Sequence, residues 1–229
     1  MTIHPAFQAT VSKTATLVAG ADWLAGQKTP EPLRTAGTVV QIAEGREIFA
    51  EGDDTDVFYK VVSGVVRVCK FLADGRRQIA AFQVAGDVFG IELGLEREMS
   101  AEAVSDCTLV VYRRRSVEQL ASRDETISRQ MFQFAMQNLA QATGHSLLLA
   151  RRGAAEKVAA FLLDWQFRSG EKNVIHLAMT RQEIADYLGL TIETVSRSLT
   201  QFERDGVIAL RNIRDVCILN TDALEDLAA

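Results

Sequence analysis

The sequence predicts an α+β fold in three parts: a β-sandwich or barrel, a long amphipathic helix, and a C-terminal pair of short helices with a β-hairpin. Three observations predict it. Eight of the chain's 15 glycines fall between Gly37 and Gly94, where they punctuate short β-branched runs. Ile127, Met131, Phe134, Ala135, Leu139 and Ala142 then recur at spacings of three and four, the period of one helix face. Finally, the stretch TRQEIADYLGLTIETVSRSLTQFERDGVI, from Thr180 to Ile208, holds two one-sided apolar patterns joined through a glycine.

All three prolines lie before Leu33, so residues 1–36 read as an N-terminal arm with one short helix around Ala21 to Gly26. The β-part spans residues 37–118. EIFAEG, VFYKVV, GVVRVCKF, RQIAAFQV and CTLVVYR are its candidate strands, and Asp74-Gly75 between two of them is a hairpin signal. Many short strands of this kind close into a sandwich or barrel.

A long helix is expected from Val117 to about Leu149, with residues 119–149 as the segment between the β-part and the C-terminal module. Its stripe has two readings, packing on the chain's own barrel or a seam with a second copy. The second is preferred, because a homodimer presents two copies of whatever the C-terminal module reads. Ile127, Met131, Phe134, Leu139 and Ala142 are the candidate interface residues.

Residues 150–229 form the third part, which opens with a helix at Ala154 to Phe167 that buries Val158, Phe161, Leu162 and Trp165. Thr180 followed by Glu183 is a capping box that starts the next helix. Ile184, Ala185 and Leu188 give that helix an apolar face, Gly189 supplies the reversal, and Thr191 caps a second helix. On it, at about 100° per residue, Val195, Leu199 and Phe202 share one side while Glu193, Ser196 and Arg197 cluster on the other. This is a helix-turn-helix, and VIALR and VCILN around Asn212 to Asp215 add a wing.

A solvated helix face could carry the same triplet, but its chemistry suits the edges of base pairs in double-stranded DNA. Arg197 can bond guanine O6 and N7 together, Glu193 can accept from cytosine N4, and Ser196 can meet either kind of group. Arg181, Gln182, Thr191 and Thr194 stand at the two helix beginnings, where they and the free N–H groups can anchor phosphates.

Charge does not argue for indiscriminate binding to nucleic acid. The formal net charge is −5, and residues 151–229 hold 10 Lys or Arg against 12 Asp or Glu. DNA binding therefore has to rest on where the cations are placed. Cys69, Cys107 and Cys217 each sit in an apolar run with no metal-ligand spacing, which predicts buried reduced thiols, with Cys217 in the wing as the possible redox site. His4, His145 and His176 are as scattered, so neither a metal nor another cofactor is expected. No catalytic pair, nucleophile elbow or phosphate loop appears, which speaks against an enzyme. With no charged leader before an apolar segment and no long uncharged apolar run, the expectation is a cytoplasmic protein without a membrane partner.

FAEGDDTDVFYKVVSGVVRV, VAGDVFGIELG, RRGAAEKVAAFLLDW and MTRQEIADYLGLTIETVSR, in this order, resemble the CRP/FNR superfamily of bacterial transcription regulators. The likeness covers nearly all of the chain after the arm. It implies a cyclic-nucleotide-binding-like β-roll (a jelly roll) that serves as scaffold and RNA polymerase contact, a dimerisation helix, and a DNA-binding winged helix. The pattern of Glu193, Ser196 and Arg197 is similar to the FNR/FixK branch. That implies TTGAT-like palindromes, one half-site per subunit, with Arg197 on the guanine, Glu193 on the opposite-strand cytosine or its neighbour, and Ser196 on a thymine.

The same resemblance shows where this chain departs from its family. Cyclic-nucleotide binders in the family clamp the phosphate with an Arg-Ser pair, and here Met99 precedes Ser100. A thioether cannot neutralise a phosphate, and Arg97, two residues earlier, is expected on the other face of a strand. The N-terminal cysteine cluster that holds an iron–sulfur centre in FNR is absent, since the first cysteine is Cys69. What remains is FixK-like, an effector-free activator of microaerobic, anaerobic, respiratory or nitrogen-fixation genes. The alternative is a regulator gated by haem, a nucleotide or another effector.

Overall fold

The computed structural model describes residues 16–17, 33, 36–171 and 174–228. The short helix expected at Ala21 to Gly26, and nearly all of the arm, lie outside them. The described residues fall into two compact units, one within residues 1–70 and 81–141 and the other within residues 71–80 and 142–229.

The first unit holds a two-sheet roll, apart from residues 71–80 at the β5–β6 turn, which fall in the second unit. One sheet has the order β1-β2-β9-β4-β7 and the other β3-β8-β5-β6. The strands are β1 (Thr16–Leu17), β2 (Gly37–Ile42), β3 (Glu47–Phe49), β4 (Val57–Ser63), β5 (Val66–Phe71), β6 (Arg77–Gln83), β7 (Val88–Phe89), β8 (Ser100–Ala103) and β9 (Cys107–Arg113). All five expected strands are present, joined by β1, β2, β7 and β8.

Strand β9 shows why its central run LVVY is apolar throughout. Leu109 and Val111 face the core between the sheets with Tyr59, Val61 and Ala101. Val110 and Tyr112, one residue out of phase, face a second core with Phe58, Val117, Ile127 and Phe134. A strand covered on both sides cannot alternate with polar residues.

The helices that supply that cover are α1 (Arg114–Ala121) and α2 (Glu125–Ala150). The single helix expected from Val117 is thus interrupted at Ser122–Asp124, where Asp124 caps the new helix by accepting from the Thr126 N–H at 2.8 Å. Its stripe is corrected as well. Ile127 is 0% exposed and Phe134 is 7%, both inside the chain's own core, with Met131 packed against it. Ile127 and Phe134 are thus turned to the chain's own core and Met131 is half-buried beside it, whereas Leu139 and Ala142 are exposed.

The second unit contains α3 (Ala154–Ser169), β10 (Val174–His176), α4 (Arg181–Leu188), α5 (Ile192–Arg204), β11 (Ile208–Leu210), β12 (Asp215–Ile218) and α6 (Thr221–Ala228). The three strands make a sheet of order β10-β12-β11. Helix α3 buries Val158, Phe161, Leu162 and Trp165 as expected, and Trp165 Nε1 donates to the His176 carbonyl at 3.0 Å. Among the described residues no helix is long and apolar enough to cross a membrane.

Candidate nucleic-acid interface

The start of α4 is fixed by reciprocal bonds. The Glu183 N–H donates to Thr180 Oγ1 at 3.2 Å, and the Thr180 N–H donates to Glu183 Oε2 at 2.7 Å. Both orphan donors are thereby satisfied, as a capping box requires. At the other end Gly189 adopts φ 63°, a conformation that an L side chain resists. Thr191 then caps α5, its Oγ1 accepting from the Thr194 N–H at 3.3 Å. Two helices joined this tightly can meet only if their facing sides are apolar. Ile184, Ala185 and Leu188 from α4 and Val195, Leu199 and Phe202 from α5 are all buried.

Burying that side leaves the other side of α5 open. Glu193, Ser196 and Arg197 are exposed there. The Glu193 carboxyl is held below the usual carboxylate range, first by its own backbone N–H at the helix start, then by Thr191 and by the Arg197 charge. It is therefore an acceptor at neutral pH. Together the three offer a carboxylate, a hydroxyl and a guanidinium on one helix face.

The phosphate-contact candidates are placed less uniformly. Arg181 is half-buried, and desolvation lowers its pKa; among the described residues it makes no ion pair. Thr191 and Thr194 bond each other, with 3.1 Å between their hydroxyl oxygens. Gln182 Nε2 donates to Asp186 Oδ1 at 2.7 Å, and Asp186 Oδ2 meets Arg77 at 2.8 and 2.9 Å. Neither Arg77 nor Asp186 was singled out by the sequence. The i, i+4 spacing of Gln182 and Asp186 was a legible signal, while Arg77 lies 109 residues away from Asp186.

Within the roll, Arg97 reverses its expectation. Residues 91–99 form no strand beyond an isolated bridge at Glu96, so strand alternation does not apply before Ser100, and the Arg97 side chain is 0% exposed. Its Nη1 donates to the Gly90 carbonyl at 2.6 Å and to Glu92 Oε1 at 3.2 Å, and its Nη2 donates to the Val57 carbonyl. The guanidinium lies 4.2 Å from the centre of the Phe49 ring. Gly90 permits this approach, since a Cβ there would stand 2.9 Å from Nη1. Glu92 also accepts from the Glu98 N–H, and Ser100 Oγ accepts from the Glu51 N–H. The Glu92 and Ser100 of the family's ligand pattern are thus both engaged internally.

Cys69 and Cys107 are buried, and Cys217 in the wing sheet is half-buried. Burial pushes the Cys107 thiol up to about 11, and it donates to the Val65 and Ser105 carbonyls.

The comparisons agree with this architecture. Residues 39–124 match the cyclic nucleotide-binding domain family and residues 156–227 the Crp-like helix-turn-helix domain family. The chain is similar to the nitrogen fixation regulation protein FixK of Rhizobium meliloti, at 40% identity over 86% of this chain and 90% of that one. It is also similar to the FixK of Azorhizobium caulinodans, at 46% identity over 83% and 79%. The solved structure of FixK2 from Bradyrhizobium japonicum superposes with a TM-score of 0.80 at 39% identity, covering 84% of this chain and 98% of that one. With a β-roll, a long helix and a winged helix-turn-helix in this order, the chain belongs to the CRP/FNR family of transcription regulators, on its FixK-like branch.

Proposed function

We propose that this protein is a homodimeric transcription activator that binds TTGAT-like palindromes in double-stranded DNA and recruits RNA polymerase in the cytoplasm. The observation that carries the reading is the exposed face of α5, where Glu193, Ser196 and Arg197 stand opposite a fully buried side. A short helix presented this way enters a major groove with its N-terminal half against the bases. Arg197 reads the guanine, Glu193 the opposing cytosine or its neighbour, and Ser196 a thymine. Arg181, Gln182, Thr191 and Thr194 hold the phosphates on either side.

The second copy docks along α2. Its exposed apolar residues are Phe132, Met136, Leu139 and Leu147, and with Thr143 they follow a spacing of four, three, four and four, the pattern of a helix seam. Such a dimer offers two recognition helices to the two halves of a palindrome.

Effector-free action is supported by Arg97 and Glu92, which satisfy each other where the family's ligand-binding pattern lies. A ligand that needed Glu92 would first have to break that pair. The names of the FixK relatives support a role at nitrogen-fixation genes, and the FixK-like pattern of the sequence extends the proposal to respiratory, microaerobic or anaerobic genes. No enzymatic role is proposed. Cys217 is the cysteine with some exposure and is the thiol an oxidant would reach first.

Selection of bound duplexes from a random library, using purified full-length protein without added effector, tests the whole reading. Enrichment of inverted TTGAT repeats is expected. Enrichment only after a nucleotide or haem is supplied would establish the ligand-gated alternative.

A further inference from the structure

An acidic DNA-binding module has to find its compensating charge somewhere. Residues 151–229 carry more carboxylates than cations, and one of those carboxylates, Asp186, sits a single turn of α4 from Gln182, about 6 Å along the same face. An unneutralised carboxylate there would repel the phosphate that Gln182 is proposed to hold. Asp186 is not unneutralised. Arg77, from the hairpin between β5 and β6, contacts Asp186 Oδ2 through both Nε and one Nη. Both side chains are mostly buried, at 20% and 13% exposure. The rest of Asp186 is taken by Gln182. Residues 71–80 belong to the same compact unit as the helix-turn-helix, and they bring Arg76 and Arg77 against the single Asp74.

We infer that Arg77 is a positioning residue for DNA binding: it neutralises Asp186 on the phosphate-facing side of α4 and orients the Gln182 amide through that carboxylate. The hairpin thereby supplies the acidic module with a cation that its own segment lacks. Arg77 contacts no base in this scheme, so its effect is blind to sequence. It rests on the DNA-binding reading above but not on the identity of the half-site. Arginine suits the role because its planar fork can hold one carboxylate through two N–H groups at a partly desolvated position, where an ammonium offers a point charge.

The test compares full-length wild type with Arg77→Gln, Arg77→Lys, Asp186→Asn and the double variant Arg77→Gln/Asp186→Asn, using fluorescence anisotropy on two duplexes. One carries inverted TTGAT half-sites and the other is a scrambled duplex of equal length. Arg77→Gln should weaken both by roughly three- to fivefold, the size of one unit charge acting through water at contact range. Asp186→Asn should bind at least as well as wild type, the double variant should return to within about twofold of it, and Arg77→Lys should lose less than Arg77→Gln. Unchanged binding by Arg77→Gln overturns the inference. So does an Asp186→Asn variant as weak as Arg77→Gln with no recovery in the double, since the pair would then be a mechanical tie rather than a neutraliser. Should Arg77→Gln unfold, Asp186→Asn decides alone, and weaker binding counts against the inference. A wild type that does not prefer the TTGAT duplex defeats the half-site assignment only, because the Arg77→Gln ratio is still read on the scrambled duplex. A wild type that binds neither defeats the DNA-binding reading itself.

Discussion

His145, near the end of α2, stacks on Tyr187 of α4 with ring centroids 4.1 Å apart, and its Nε2 lies 2.8 Å from the Tyr187 carbonyl oxygen. A carbonyl only accepts, so Nε2 carries the proton, and the neutral tautomer is enough to make the bond. Burial lowers the His145 pKa below its ordinary 6.5, with the hydrogen bond to Tyr187 a smaller opposing influence. A depressed pKa means that this contact stabilises fully above the unfolded value and fades as pH falls through the folded one. The melting temperature of the wild type should therefore drop more steeply below about pH 6.5 than that of His145→Gln, which has no imidazole to charge. Parallel curves for the two proteins would refute the assignment.

Arg97 is expected to be a stability residue. Replacing it by Met keeps most of the volume but takes the guanidinium donor from the Gly90 and Val57 carbonyls and from Glu92 Oε1. The loss should be roughly 3–5 kcal/mol in denaturant unfolding, the range for removing one partner of a buried charge pair. Adding Glu92→Gln should recover part of it. A cost under about 1 kcal/mol would show that the guanidinium is dispensable to the roll.

All three tyrosines of the chain, Tyr59, Tyr112 and Tyr187, have their hydroxyl pKa pushed up to about 12, with burial the first cause of each. Among the described residues, Tyr59 and Tyr112 have no hydrogen-bond partner for the hydroxyl. A raised pKa stabilises the fold fully below the unfolded value of 10.0 and is lost as pH rises through the folded value. Between these limits native protein should show little tyrosinate absorbance while denatured protein shows most of it. Smooth titration of the native chain near pH 10 would mean that the two hydroxyls are hydrated.

How far these sites could be read in the sequence depended on whether their partners are local. The capping box of Thr180 and Glu183, the Gly189 reversal and the two faces of α5 are set by residues within a turn or two of each other, and each matches the structure. The break before α2 was also legible, since Asp124 is a ready cap, but a long apolar periodicity outweighed it. Periodicity says that a helix has an apolar side and not what covers it. Ile127 and Phe134 belong to the side turned to the roll, and Phe132, Met136 and Leu139 to another. Strand β8, SAEA, has the small residues that fit between two sheets and no β-branched side chain to announce it. Arg97 and Arg77 were out of reach because Val57, 40 residues from Arg97, and Asp186, 109 from Arg77, become neighbours only through the fold.

Within the recognition helix, Arg197 and the cation at the start of α4 should separate by what they lose. Arg197→Ala should cost about 1–3 kcal/mol on the preferred duplex and relax the choice at the guanine alone. Arg181→Ala should weaken all duplexes alike and reduce the slope of log affinity against log salt by roughly one. Competition assays with single-base variants across a salt series distinguish the two. A uniform loss across every base position for Arg197→Ala would remove it from the readers.

Two neighbouring phenylalanines of α2 should respond in opposite ways to the same substitution. Phe132 is 66% exposed, whereas Phe134 packs among Val110, Val117 and Ile127. Phe134→Glu puts a carboxylate into that core and should cost roughly 3–5 kcal/mol of stability. Phe132→Glu buries nothing in the single chain, so its fold should hold. In a seam between two copies, however, the charges would face each other in an apolar setting and drive the protein toward monomer. Sedimentation at matched concentrations reads the assembly, and thermal unfolding reads the fold. Because each subunit is proposed to read one half-site, the Phe132→Glu monomer should also lose most of its preference for a palindrome over an isolated half-site. A Phe132→Glu protein that still sediments as a dimer would move the seam off this face of α2.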